Sequence, residues 1–211
     1  MKDIPFFHTE NGVASLRLKE IPFFRAAYIT MQSALDERKL LEDCVGLCKA
    51  AGAERIYATG LSSTEYGESV NILKMTCDLR DQQEASAQLF PVQEKTLSQW
   101  RELYNQKMYN VTGAAYMSDP AAHQMLTERN GYFVHKNGEL IGIGAACGDT
   151  ISVVASLKKG AGKDVVQALM SVLSEDRAVI EAASDNTKAI MLYTSLNFIP
   201  ACIVNTWYKI I

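Results

Sequence analysis

Residues 150–184 carry the pattern that most constrains the fold of this chain. A β-branched run at 150–157 is typical of a strand, and a short apolar run at 177–184 is compatible with a second, buried strand. Between them, the apolar residues of 165–173 recur at the spacing of an amphipathic helix. A strand, a helix and a strand in this order predict a right-handed crossover between two parallel strands.

The rest of the C-terminal half continues this pattern of strands and helices. Asn137-Gly138 supplies the two φ > 0 residues of a type I′ turn and predicts a hairpin. Asp185-Asn186 is a capping pair in front of the next helix. The other predicted elements are helices at 96–108 and 120–129, an irregular segment at 107–118 interpreted as a loop over a pocket, hairpin strands at 132–136 and 139–147, and a last strand at 201–211.

The first 80 residues show the order hairpin, helix, strand, strand, which matches the order at 139–211. Residues 80–88 are polar and are interpreted as a linker, so we predict two domains, 1–80 and 88–211. The N-terminal elements are predicted as strands at 13–19, 24–32, 55–59 and 73–79 and a helix through 40–48 that Gly52 closes.

A cationic, glycine-rich loop, Leu157-Lys158-Lys159-Gly160-Ala161-Gly162, stands before the helix of the crossover. The start of a helix presents unpaired backbone N–H groups and a partial positive charge, and glycine lets an anion approach them. The loop therefore indicates a phosphate site. It lacks the third glycine of a dinucleotide fingerprint, and Asp164 stands where a Walker A loop needs Ser or Thr.

Two motifs together resemble the GNAT superfamily of N-acetyltransferases, which bind acetyl-coenzyme A. The family's phosphate loop, (Q/R)-x-x-G-x-(G/A), corresponds to residues 157–162, with Leu157 in place of Gln or Arg. Asn197 stands where the family has glycine, a mild change because Asn tolerates the left-handed conformation. The family's second motif, N-x-x-A-x-x-x-Y-x-x-x-G-F, is otherwise matched at Asn186, Ala189, Tyr193 and Phe198.

The resemblance covers 88–211 and implies an α/β (α+β) fold with a mixed central sheet flanked by helices. It implies an N-acetyltransferase with acetyl-CoA as co-substrate and an amine of a small molecule or peptide as acceptor. Asn186 is either a coenzyme A contact or a simple helix cap, and Asp164 is expected to point away from the phosphate. The cofactor-binding residues that the resemblance implies are Val154, Ala155, Leu157, Lys158, Lys159, Gly160, Ala161, Gly162, Lys163, Asp164 and Asn186.

Two residues are candidates for catalysis. By resemblance, Tyr193 is the general acid that protonates the departing thiolate, since a phenol with a pKa near 10 stays neutral at pH 7. The alternative is a core tyrosine. Glu181, the acidic residue of its predicted strand, is a candidate general base, with a paired or solvent-facing carboxylate and catalysis by water as the alternatives.

Composition argues against several other classes of protein. The 24 acidic and 21 basic residues give a net charge of −3, unlike a typical nucleic-acid-binding protein. No apolar run approaches the ~18 residues of a membrane-spanning helix, and the first residues lack a signal-peptide pattern.

Five cysteines without a C-x-x-C pair predict reduced thiols and a cytoplasmic location, and the scattered histidines predict no metal site. A homodimer is left open.

The N-terminal helix start differs from the glycine loop. Asp36-Glu37 stands where Gly160-Ala161-Gly162 stands in the second half, and Asp36 can cap the helix. We hypothesise either a degenerate GNAT-like half that does not bind coenzyme A or an unrelated α+β extension. For the whole chain, the alternatives to an enzyme are a non-catalytic acyl-CoA sensor and a protein-interaction module with an incidental glycine-rich turn.

Overall fold

The computed structural model describes residues 1–62, 66–80 and 85–211, so residues 81–84 of the predicted linker lie outside the described residues. The strands are β1 (Ile4–Thr9), β2 (Gly12–Arg17), β3 (Ala26–Ala34), β4 (Arg55–Thr59), β5 (Ser69–Asp78), β6 (Gln88–Pro91), β7 (Gly131–Lys136), β8 (Glu139–Cys147), β9 (Thr150–Ser156), β10 (Arg177–Ala183) and β11 (Ile199–Lys209). The helices are α1 (Ile21–Phe24), α2 (Glu37–Ala50), α3 (Leu97–Met108), α4 (Asp119–Glu128), α5 (Gly162–Met170) and α6 (Thr187–Ser195).

The chain forms two compact units, and each consists of more than one separate stretch of the sequence. The N-terminal unit consists of Met1–Ile72, Thr112–Tyr116 and Val204–Ile211, and the C-terminal unit of Leu73–Val111 and Met117–Ile203. Strands β5 and β11 therefore each contribute residues to both units. The domains 1–80 and 88–211 stay a prediction.

In the N-terminal unit, β1, β2 and β3 are antiparallel neighbours, and α2 connects β3 to its parallel neighbour β4. The end of β11 pairs antiparallel with β4, joining Tyr208 to Ala58. The apolar stripe of α2, including Leu40, Cys44 and Cys48, is buried in the core with Ile29 of β3. Cys44 and Cys48 are thus small apolar residues of this core.

Two N-terminal features differ from the sequence-based expectation. Phe24, predicted as the first residue of a strand at 24–32, instead ends the helical turn α1, which begins at Ile21-Pro22 because Pro is well tolerated in the first turn of a helix. Strand β1 was not predicted, since its Phe6 is 73% exposed and its apolar residues do not alternate as in a half-buried strand. Asp36 caps α2 as predicted, because its carboxylate accepts from the backbone N–H of Lys39 at 3.1 Å.

In the C-terminal unit, the strand order is β5-β10-β9-β8-β7-β6. The β7–β8 hairpin is confirmed, since Asn137 and Gly138 have φ of 53° and 80°. The parallel pairing of β9 and β10 across α5 is also confirmed. Each unit thus has a mixed sheet with helices against it, as the predicted fold class requires. In the N-terminal unit, β2, β3, α2 and β4 repeat the order and pairing sense of β8, β9, α5 and β10, apart from the short α1 between β2 and β3.

Helices cover both faces of the C-terminal sheet. Ile141 of β8 lies in the same core as Val165 and Leu169 of α5, whereas Ile143 belongs to the core with Trp100 of α3. Because both faces are covered, β8 is an almost continuous apolar run. Glycines on β8 let α5 lie close to it: a Cβ at position 144 would be 2.3 Å from a methyl carbon of Leu169.

Candidate active site

The glycine-rich loop connects the carboxyl end of β9 to the amino end of α5, as the sequence predicts. Ala161 is the N-cap residue of α5, and no side chain caps this helix. The first backbone N–H groups of α5 therefore point out of the helix without the side-chain acceptor that Asp36 gives α2 and Asn186 gives α6. This exposed helix start can bind an anion.

Two glycines shape the loop in different ways. Gly160 has a φ of 84°, and a Cβ built on it would meet no atom within 4 Å, so the loop is open on that side. Gly162 is in close contact with α6, because a Cβ there would be 2.8 Å from Cδ2 of Leu192. Leu192 directly precedes Tyr193, so this contact brings α6 to the start of α5. Sequence reasoning assigned Gly162 to the phosphate only and missed the helix contact.

The charged side chains around the loop divide into paired and unpaired groups. Asp164 accepts from Lys136 Nζ at 2.8 Å and from Ser86 Oγ at 3.0 Å. The hydrogen bond from Lys136 lowers the pKa of Asp164, which is therefore ionised and held by its own partners. Lys158 lies 3.7 Å from Glu139, whereas Lys159 and Lys163 are exposed and have no ion pair among the described residues.

Near the loop, the edge of β9 that faces β10 has no strand pairing among the described residues. β9 and β10 pair at Thr150–Val179 and Ile151–Ile180, at the amino end of β9. Leu157 donates its N–H to Ile141 O of β8 at 2.8 Å, and backbone groups alternate in direction along a strand. The amides of Val154 and Ser156 therefore face the edge opposite to β8. Ser156 was not among the predicted site residues.

The candidate catalytic residues lie in contrasting environments. Tyr193 is 6% exposed, it contacts Phe198 with ring centroids 5.9 Å apart, and burial raises its pKa to about 12. Glu181 is exposed on β10, with no hydrogen bond or ion pair to the described part of the chain. Asn186 caps α6 by accepting from Ala189 N at 3.2 Å, and Asn197 has a φ of 65°, the left-handed conformation expected of it.

The described residues contain no group of three or more His, Cys, Asp or Glu side chains suited to a metal ion. None of the described helices is both long and apolar enough to cross a bilayer. All five cysteines are free thiols.

An open cavity of about 1110 Å³ lies at the amino ends of β9 and β10, between Cys77, Asp149 and Arg177, and none of the predicted site residues lines it.

Comparison with known proteins gives a clear result only at the level of structure. No family model and no curated protein matches the sequence. Among solved structures, the chain is similar to a GCN5-related N-acetyltransferase from Sphaerobacter thermophilus, with a TM-score of 0.55 and 9% identity over 94% of this chain and 76% of the other. It is also similar to a functionally unknown conserved protein from Staphylococcus epidermidis, with a TM-score of 0.54 and 12% identity over 96% of this chain and 91% of the other.

A third similar structure is a putative acetyltransferase from Pyrococcus horikoshii, with a TM-score of 0.52 and 11% identity over 93% of this chain and 68% of the other. At such low identity, these matches concern the fold and not the reaction. They confirm the fold that the resemblance implies. This chain has the fold of the GCN5-related N-acetyltransferases.

Proposed function

We propose that this chain is an N-acyltransferase that moves an acetyl group from acetyl-CoA to an amine by direct attack. The observation that carries the proposal is the start of α5, which no side chain caps and which directly follows an open, cationic glycine loop. The chain also has the fold of the acetyltransferases. An anion is the natural partner of such a helix start. The pyrophosphate of coenzyme A supplies that anion.

The backbone of the loop binds the pyrophosphate in this proposal. Ala161 N donates to Lys158 O at 3.2 Å within the turn, which leaves the amides of Gly162, Lys163 and Asp164 as the main donors. Lys159 and Lys163 add charge that is screened by solvent, and Lys158 adds less because Glu139 is its neighbour. Gly160 keeps the approach open.

The edge of β9 holds the thioester. The amide of Val154 faces the side where β10 does not pair, so it can donate to the thioester carbonyl, and Ala155 and Leu157 line the strand beside it. A fixed N–H donor at a carbonyl oxygen stabilises the negative charge that develops there during attack. Asn186 contributes by fixing the start of α6.

Proton transfer completes the proposed reaction. The amine attacks the carbonyl carbon, the carbon–sulfur bond breaks, and the phenol of Tyr193 gives its proton to the departing thiolate. The attacking amine must lose a proton, which goes to Glu181 or to water. Because Glu181 is exposed, water can reach the same position.

Binding and turnover test the proposal separately. Coenzyme A at about a hundredfold excess over its Kd should stabilise the fold by about 2.7 kcal/mol, measured as a thermal shift. Lys159→Glu and Lys163→Glu should weaken binding, whereas Lys95→Glu, which changes another exposed lysine on a different segment, should not. The absence of any shift at millimolar coenzyme A would remove the basis of the proposal. A thiol-release assay with a panel of amines then tests turnover.

A second candidate is an acyl-CoA-binding module without turnover. It is favoured by Leu157, an apolar residue where the family has Gln or Arg, and by the exposure of Glu181. It predicts a thermal shift with coenzyme A and no thiol release with any amine. A protein-interaction module predicts neither signal.

The remaining assignments belong to the same proposal. The acceptor is an amine of a small molecule or a peptide, and the net charge of −3 argues against a nucleic-acid partner. Five free thiols are consistent with a cytoplasmic location. Light scattering can measure directly whether the chain forms a homodimer.

A further inference from the structure

Three buried polar atoms without hydrogen-bond partners among the described residues lie on two side chains of the N-terminal unit. They are Nε and Nη2 of Arg17 and Oε1 of Glu20. Glu20 is 0% exposed. A buried charge without a partner is costly, and native proteins nearly always supply a partner from the chain, from water or from a ligand.

Both side chains are held in place by other contacts. The guanidinium of Arg17 lies 3.9 Å from the centroid of the Tyr28 ring, a cation–π contact. Oε2 of Glu20 accepts from the backbone N–H of Tyr116 at 2.6 Å. Burial raises the pKa of the Glu20 carboxyl and the charge of Arg17 partly offsets this effect, yet no ion pair joins the two side chains in the part of the chain described. Each side chain thus has one part held by a contact and another part without a hydrogen-bond partner among the described residues.

The unpaired atoms have a definite chemical complement. Nε and Nη2 form one edge of the guanidinium, and that edge matches the two oxygens of a carboxylate. Oε1 of Glu20 is an acceptor that matches an ammonium N–H. An anion alone would be repelled by Glu20, and a cation alone would be repelled by Arg17.

We propose that Arg17 and Glu20 form a binding site for a small zwitterion, an α-amino acid, with its carboxylate on Arg17 and its ammonium on Glu20. The ring of Tyr28, itself in contact with Tyr57 and Trp207 at centroid distances of 5.2 and 5.1 Å, forms an aromatic wall beside Arg17. The site lies within the N-terminal unit and does not depend on the phosphate loop. Its test is independent of the proposed transferase activity.

Calorimetric titration of the full chain tests the proposal with free amino acids, glycine being the smallest. Glycolate, which lacks the ammonium, and ethanolamine, which lacks the carboxylate, are the matched analogues. At least one amino acid should bind saturably, and the analogue with a single charge should bind at least about tenfold more weakly. No binding of any amino acid at millimolar concentration, or equal binding of the analogues, would mean that ordered water alone satisfies these atoms.

Variants locate the site. Arg17→Lys keeps the charge but loses the two-donor edge, and Glu20→Gln keeps an acceptor for Tyr116 N but loses the charge. Each should weaken amino-acid binding at least about tenfold, whereas Arg25→Lys, on an exposed side chain, should not change it. The thermal shift with coenzyme A should be unchanged in Arg17→Lys. Amino-acid binding of wild-type strength by Arg17→Lys would overturn the proposal. If a variant fails to fold, the titration of the wild-type chain with amino acids and their analogues still tests the proposal.

Discussion

Tyr193 combines a buried aromatic ring with a candidate role in proton transfer. Burial raises the pKa of its phenol to about 12, above the value of about 10 for the free side chain. The neutral, proton-carrying form is present below the pKa, so Tyr193 remains an acid through neutral and moderately alkaline pH. If Tyr193 is the proton donor, kcat should show no alkaline decline from this group below about pH 11.

Substitution of Tyr193 tests the same role at constant pH. Tyr193→Phe should retain the thermal shift with coenzyme A and lower kcat by about 10²- to 10⁴-fold, because the ring remains and only the proton is lost. Tyr132→Phe, which also removes one hydroxyl from the C-terminal unit, should leave kcat unchanged. Wild-type kcat in Tyr193→Phe would assign the acid role to another group or to water.

The five thiols should differ in reactivity because their burial differs. Desolvation raises the pKa of Cys44 to about 12 and that of Cys48 to about 11, and the thiolate is the reactive form. Cys147 and Cys202 are exposed, and Cys77 is buried with its Sγ 3.3 Å from Leu196 O. A thiol-labelling reagent at neutral pH should therefore modify Cys147 and Cys202 rapidly and the other three only after denaturation. Rapid native labelling of Cys44 would contradict the described core.

At the scale of elements, the contact between α5 and α6 depends on the absence of a side chain at position 162. Gly162→Ala would place a Cβ 2.8 Å from Cδ2 of Leu192, the end of a half-buried side chain that can shift, so we expect a cost of about 1 kcal/mol, at the lower end of the range for overpacking. Gly46→Ala is the matched control: it lies in α2, where a Cβ meets no atom within 4 Å, and alanine should stabilise that helix.

Denaturant unfolding of Gly162→Ala, Leu192→Ala and the double variant measures this contact. The double variant should be more stable than the sum of the two single changes predicts, because removal of the Leu192 side chain leaves room for the new methyl group. Strict additivity would show that the two residues are not in contact. A loss of coenzyme A binding in the single variant Gly162→Ala would then have two causes, a displaced α6 and a blocked loop.

Elements with strong local patterns could be predicted from the sequence, and contacts between distant residues could not. The periodicity of α2, the β-branched run of β9 and the Asn137-Gly138 turn are local signals. Strand β6 has little such signal, since it is a short strand that contains Pro91 and an exposed Phe90. In the site, the glycine loop is local and was predicted, but the Leu157–Ile141 hydrogen bond joins residues that no local pattern links.

At the scale of the whole molecule, the N-terminal unit contains Val204–Ile211. Removal of these residues should expose the edge of β4 that pairs with Tyr208 and Lys209 and should remove the buried Trp207. Amide hydrogen exchange in β4 should then become faster, while removal of Met1-Lys2, which lie in no strand, should leave it unchanged. Persistent protection of β4 in the truncated chain would contradict the pairing.

The position of β11 also determines when the molecule can finish folding as it is made. The ribosome produces β4 about 150 residues before the segment that pairs with it, at the ordinary rate of roughly 5–20 residues per second. Throughout that interval, β4 has an open edge with free N–H and C=O groups, the kind of surface through which nascent chains associate with one another. The sheet of the N-terminal unit therefore stays incomplete until residues 204–211 are made, and the edge of β4 should be open to chaperones for that time.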